Sequence, residues 1–202
     1  MNCGGKDMYK IIEKNAGVVP VLKVKNYYEN EWAYYPEVEF SVCYDEVGFH
    51  TKFKVFEKNP KAVMTEHFQG VHLDSCVEWF VNFAPKICDR YFNFEMNANG
   101  VLNANFRKDR YDKLPLTVED AEALNIKTQI LDECWTVEYT VTFEFIKKYI
   151  PDYEFKKGME LKANVFKCGE EVEMPHFGMW QEIKREKPDF HQPDDFGTMI
   201  IE

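Results

Sequence analysis

Residues 76–83 read CVEWFVNF and residues 91–106 read YFNFEMNANGVLNANF, and the reading of these two runs decides the fold. With a period of two, Val77, Trp79, Val81 and Phe83 share one face while Cys76, Glu78, Phe80 and Asn82 share the other. In the second run Phe92, Phe94 and Met96 oppose Asn93, Glu95 and Asn97, and after Gly100 the residues Leu102, Ala104 and Phe106 oppose Val101, Asn103 and Asn105. The turn sets which faces meet. A two-residue Asn99-Gly100 turn would pair Met96 with Asn103 and Phe94 with Asn105, spoiling both faces. A three-residue loop, with Ala98 and Asn99 in a type I turn and Gly100 left-handed as a G1 bulge, pairs Glu95 with Asn103 and Asn93 with Asn105. The second register is expected, because register follows the buried face.

The face carrying Glu78, Asn82, Asn93, Glu95, Asn103 and Asn105 offers short, stiff donors and acceptors with little positive charge. Two readings are open. Polar alternation is commonly the solvated side of an antiparallel sheet. Asn, however, has poor strand propensity, and groups of this kind bind sugars, whose hydroxyls need in-plane partners.

The 202 residues, 45% hydrophobic and 16% aromatic, suffice for one large β domain spanning 1–202. A formal net charge of −10 gives no cationic footprint, so neither nucleic acid nor an anionic membrane is an expected partner. No run of about 18 apolar residues is present to span a bilayer. In residues 1–24, Lys6, Asp7, Lys10, Glu13, Lys14 and Asn15 interrupt any secretory h-region, which leads to the expectation of a cytoplasmic chain. The six cysteines form no CxxC pair. Free thiols are expected rather than a disulfide framework, and zinc is not expected on that spacing.

Elsewhere, residues 37–44 and 49–55 alternate on either side of Asp45, Glu46 and Gly48 and read as a hairpin. Residues 64–71 are a loop carrying His67 and Phe68, and residues 107–115 are a charged connection. Thr117 and Asp120 are placed as a capping box for a short helix through Ala121 and Leu124. Residues 135–145 alternate without a fault from Trp135 to Phe145 and read as a half-buried antiparallel strand, with a brief helical turn over 146–150. Leu161, Ala163 and Val165 form another core face, and residues 198–201 a last strand. Long strands, polar turns and one or two short helices define an all-β, antiparallel β-sandwich of jelly-roll or immunoglobulin-like type.

The segments DSCVEWFV (74–81) and YFNFEMN (91–97), followed by GMELKANVFKC (158–168), Met179-Trp180 and PDFHQPDDFG (188–197), resemble the family 9-like carbohydrate-binding modules over nearly the whole chain. The resemblance implies a β-sandwich holding one or two sugar rings between tryptophans and a ring of polar side chains, sometimes with structural calcium. It implies a non-catalytic carbohydrate ligand site and an accessory part in polysaccharide degradation, xylan included. Carried over residue by residue, Glu78 resembles the acidic hydroxyl acceptor, Asn164 the amide and Trp180 a stacking tryptophan. The stretch before Asp74 holds Phe68 and His72 where the second aromatic would stand. A pyranose packs its axial C–H groups on an aromatic face, and carboxylates give its hydroxyls charge-assisted bonds. Trp180, followed by polar Gln181 and Glu182, fits an exposed ring.

Two other function classes compete. A glycosidase would use Glu78 and Glu95 as paired carboxylates, one with a raised pKa, and an open, hydrated face would not raise either far. Haem binding would need an opposed Met and His, from among Met64, Met174, Met179, His67, His72 and His176. His191 reads as a loop anchor. For calcium, Asp74 and Asp194 are the leading oxygen ligands, with Asp45, Glu46 and Asp195 also available.

Overall fold

The computed structural model describes residues 8–202. Cys3 and the first residues of the stretch read for a leader lie outside them. The strands are β1 (Met8–Glu13), β2 (Leu22–Val24), β3 (Asn26–Tyr27), β4 (Glu37–Tyr44), β5 (Gly48–Phe56), β6 (Cys76–Asn82) and β7 (Tyr91–Asn97). They continue with β8 (Leu102–Arg107), β9 (Lys113–Pro115), β10 (Lys127–Ile130), β11 (Trp135–Thr142), β12 (Glu160–Gly169), β13 (His176–Met179) and β14 (Gly197–Ile201). Two helices, α1 (Val118–Ala123) and α2 (Phe143–Tyr149), complete the described chain.

One sheet runs β14-β12-β6-β7-β8-β9 and the other β10-β11-β5-β4. β1 joins them, pairing with β14 through Met8 to Ile11 and with β4 through Ile12 and Glu13. Both of these pairings are parallel, within a sandwich whose other strand pairs are antiparallel as expected: a strand shared by two sheets takes its direction from both neighbours. The sheets pack face to face through aromatic contacts, Phe49 on Phe83 at 5.2 Å, Phe40 on Trp79 at 5.6 Å and Phe94 on Tyr139 at 5.8 Å. The predicted alternation is thus realised, with Val77, Trp79, Val81, Phe92, Phe94, Met96, Leu102 and Ala104 in one core.

The β7–β8 hairpin takes the expected register, Glu95 opposite Asn103 and Asn93 opposite Asn105. Gly100 has φ +78, the left-handed value a G1 bulge requires, and its N–H donates to the Asn97 carbonyl at 3.0 Å. Thr117 caps α1 and closes the box with Asp120. The strand read through Phe145 ends at Thr142. There the Thr142 hydroxyl accepts from the Phe145 N–H at 3.0 Å, and α2 begins. Helical rise brings Phe145 and Tyr149 both onto Phe92, at 5.5 and 5.3 Å, so the apolar residues that continued the strand pattern plug the end of the sandwich instead.

Extending the Leu161, Ala163, Val165 face by one more step puts Lys167 inside. Its Nζ donates to the Ser75 hydroxyl (2.9 Å), the Cys168 carbonyl (2.9 Å) and His176 Nε2 (2.7 Å), with a Glu57 carboxylate oxygen at 3.5 Å. The same Glu57 oxygen accepts from the Ser75 hydroxyl and from Trp135 Nε1 at 3.0 Å, while its partner oxygen accepts from Tyr34 Oη at 3.3 Å. A buried charge is tolerated where a counter-charge and hydrogen bonds surround it. Burial and the Lys167 ammonium hold His176 down at about 4, so it is the neutral acceptor of this network.

Candidate functional site

On the outer face of the β12-β6-β7-β8 sheet, register lines up one row of side chains across four strands. Phe166 lies opposite Glu78, Glu78 opposite Glu95 and Glu95 opposite Asn103. The next row is Asn164, Phe80, Asn93 and Asn105. This face is not solvated: every residue of β6 and β7 is buried. β13 extends the sheet beside β12, and the segment after it folds over the face, packing Phe190 on Phe166 at 4.1 Å and the His191 ring on Phe80 at 5.0 Å. What stays uncovered is a cleft of about 480 Å3 with Glu78, Glu95, Asn103 and Cys168 at its floor, His72 and Glu170 at one side, Arg107, Arg110 and Tyr111 at another, and Phe177, Phe190 and His191 beneath the tail. That volume falls within the range of small-molecule sites.

The floor is hydrogen-bonded before any ligand arrives. Glu95 Oε1 accepts from Asn93 Nδ2 at 2.6 Å and Oε2 from Asn103 Nδ2 at 2.8 Å. The Asn93 side-chain oxygen Oδ1 accepts from the Asn105 backbone N–H at 3.0 Å, and the Cys168 thiol donates to Glu78 Oε1 at 3.1 Å. Burial, the neighbouring Cys168 and then Glu95 push Glu78 well above the ordinary carboxylate range. Burial also raises Glu95, but Asn103, Asn93 and Arg107 pull the other way. Two carboxylates side by side cannot both ionise cheaply, and the two amides that donate to Glu95 make Glu78 the one that more readily keeps a proton. The expectation that neither carboxylate would shift far is corrected, because the face it assumed to be open is roofed.

Arg107 Nη1 donates to the His191 ring, 2.9 Å from Nε2, and Tyr91 Oη lies 3.0 Å from Nδ1. Burial and Arg107 together lower His191 to about 3. His191 is both the loop anchor read from the sequence and part of the cleft wall.

Of the residues picked from the sequence, His72, Glu78, Glu95 and Asn103 line the cleft. Asn93 lies beneath them as a support and Asn105 beside it. Asn164 is fully buried, with both ends of its amide engaged by the Gln181 backbone at 2.9 Å. Trp180 does not present an exposed ring. Met179 pairs with Phe166 and the Trp180 N–H donates to the Val165 carbonyl at 2.8 Å, so its side chain follows Val165 into the core, where it is 4% exposed. The aromatic side chains that reach the cleft are Tyr111, 88% exposed, Phe177 and, packed on Phe166, Phe190. Arg107 was legible in principle, since it continues the alternation of Asn103 and Asn105; Tyr111 was not, sitting in the charged connection after β8.

Among the other candidates, His67 Nδ1 accepts from the Leu102 N–H at 3.0 Å and the Met179 sulfur from the Ile183 N–H at 3.1 Å; with His176 held by Lys167, these groups are not free for an axial pair. Asp74 is fully buried. Its Oδ2 accepts from Met64 N–H and Asn97 Nδ2, both at 2.9 Å, and its Oδ1 has no hydrogen-bond partner. Asp45 is occupied by the N–H groups of Val47 and Gly48 and by His50, and Asp194 is exposed on a turn at Pro193–Asp195.

The model of one family, described as Carbohydrate-binding family 9, matches residues 9–201. No curated protein matches the chain. Among solved structures, a candidate carbohydrate-binding protein from Bacteroides uniformis is similar at 23% identity and a TM-score of 0.78, over 96% of this chain and 98% of that one. A family 9 carbohydrate-binding module from Caldicellulosiruptor kristjanssonii in complex with glucose aligns at 10% identity and a TM-score of 0.67, over 97% of this chain and 96% of that one. The same organism's family 9 module in complex with cellotriose aligns at 9% identity and a TM-score of 0.66, over 96% and 93%. At these identities the structural likeness establishes the β-sandwich fold.

Proposed function

Because this chain belongs to carbohydrate-binding family 9, we propose that the roofed cleft binds a mono- or oligosaccharide without catalysis. The observation that carries this reading is the row Glu78, Glu95, Asn103: a carboxyl biased towards its protonated form, a carboxyl held as acceptor by two amides, and an amide, side by side at the cleft floor. A sugar hydroxyl both donates and accepts, and such a row answers both needs with groups fixed in advance, which reduces the entropy lost on binding. Tyr111 and Phe177 supply the aromatic faces for the C–H side of the ring.

The raised carboxylates are also what a glycosidase would show. Their placement argues for recognition instead: Glu78 and Glu95 rise together from neighbouring strands as a floor, whereas a hydrolytic pair flanks the scissile bond. An accessory role in polysaccharide breakdown follows from this reading. Glucose and cellotriose, the ligands of the similar modules, and xylo-oligosaccharides are the sugars to offer first. In calorimetric titration the native protein is expected to bind a member of this set, and Glu95→Gln to weaken that binding about tenfold or more through loss of a charge-assisted bond. Affinity unchanged in Glu95→Gln, or release of reducing ends by the native protein, would overturn the assignment.

Of the calcium candidates, Asp74 has the fitting surroundings, a buried carboxylate oxygen left without a partner of the hard type calcium takes. An ion there would brace the loop at Met64 against β7. Added calcium is expected to raise the melting temperature, an effect that Asp74→Asn should remove.

A further inference from the structure

Among the described residues one cluster brings three metal-ligating side chains together: Cys76 Sγ, Cys168 Sγ and a Glu78 carboxylate oxygen all lie within 4.8 Å of one another, and all three residues are buried. Sequence spacing conceals it, because Cys76 and Cys168 belong to β6 and β12. The antiparallel register places these two directly opposite each other, and Glu78 is the next residue on the same face. We infer that Cys76, Cys168 and Glu78 form a binding site for one soft divalent cation, of the zinc or cadmium kind, at the floor of the cleft.

The dimensions suit such an ion. Tetrahedral zinc, with sulfur at about 2.3 Å and carboxylate oxygen at about 2.0–2.2 Å, holds its ligand atoms roughly 3.5–3.8 Å apart; the three ligand atoms already lie within 4.8 Å of one another, and Cys168 Sγ, hydrogen-bonded to Glu78 Oε1 at 3.1 Å, would only have to move out slightly once an ion replaced its proton. Two sulfurs select soft cations over calcium or magnesium. Cys168 and Glu78 also line the cleft, which gives an entry path and an open side for a fourth ligand such as water. Charge closes acceptably: two thiolates, one carboxylate and a divalent ion leave one net negative charge, with the Lys167 ammonium close by on the Cys168 carbonyl. Binding therefore releases three protons, two from the thiols and one from Glu78, and involves no oxidation.

The site shares Glu78 with the row proposed to hold the sugar, and a titration with metal alone lets the two readings fail separately. The test is titration of the full chain with Cd2+ alone, after reduction by a phosphine and removal of metal, following thiolate-to-cadmium charge-transfer absorption and the mass of the native complex. One Cd2+ per chain is expected, with the absorption lost in Cys76→Ser and Cys168→Ser, weakened about tenfold or more in Glu78→Gln, and retained in Cys88→Ser and Cys134→Ser. Circular dichroism identifies any variant that fails to fold; the stoichiometry and absorption of the unmodified protein then decide. Absence of charge transfer in the unmodified protein, equal binding by a folded Cys76→Ser variant, or a Cys76–Cys168 disulfide that survives the phosphine would each overturn the proposal.

Discussion

Lys167 illustrates how a single side chain can be placed by pattern and yet surprise by chemistry. Its position on the core face is legible, two steps beyond Val165, but a lysine there contradicts the rule that made the face apolar, and only the folded chain shows Glu57, Ser75 and His176 arriving from three other segments to meet it. Removing one member of such a group leaves the others buried and unpaired. Lys167→Met is expected to lose about 3–5 kcal/mol by chemical denaturation, and the double variant Lys167→Met with Glu57→Gln to recover part of it. Glu95 and Asn103 were legible for the opposite reason. Both obey the alternation, so their partnership followed from the hairpin alone. The Cys76–Cys168 approach was not, since 91 intervening residues carry no local signal.

At the level of elements, the hairpin could be read because its turn chemistry and its buried face agree on one register, and α1 because its cap is written in four residues. For α2 the sequence predicts a helical turn over 146–150 but hides its start, since Phe143 and Phe145 continue the period of two and only the Thr142 cap betrays the earlier switch. The pairing of β12 with β13 was the other illegible step, and it decides the fate of Trp180: a slip of one residue would turn the ring from core to cleft. From its position in the core, Trp180→Ala is expected to cost about 3–5 kcal/mol of stability. Tyr111→Ala should leave the denaturation midpoint nearly unchanged while weakening sugar binding; the reverse pattern would return the stacking role to Trp180.

For the whole molecule, two histidines, His176 buried and His191 half-buried, contribute to the response to acid. His176 and His191 are held near 4 and 3, against 6.5 for an ordinary histidine, so the unfolded chain takes up their protons first. A lowered folded pKa means stability is complete above about 6.5 and is lost as pH falls toward 4 and below. Glu78, raised rather than lowered, acts in the opposite sense above 4.5. Melting temperatures are therefore expected to drop between pH 6.5 and 4, and His176→Gln to flatten that drop by an amount on the order of 3 kcal/mol. A slope unchanged by the substitution would remove His176 as its source.

β1 lies between β14 and β4, so residues near the start of the described chain pair in register with Thr198 to Ile201. Contacts of that sequence separation close the largest loop the chain can make and are slow to form. Until β14 is in place, β1 has no neighbour on one side. A variant lacking β14 would carry two bare strand edges, on β1 and β12, at the seam of the sandwich, the kind of edge that recruits other chains. β14 is thus the strand on which closure of the fold waits.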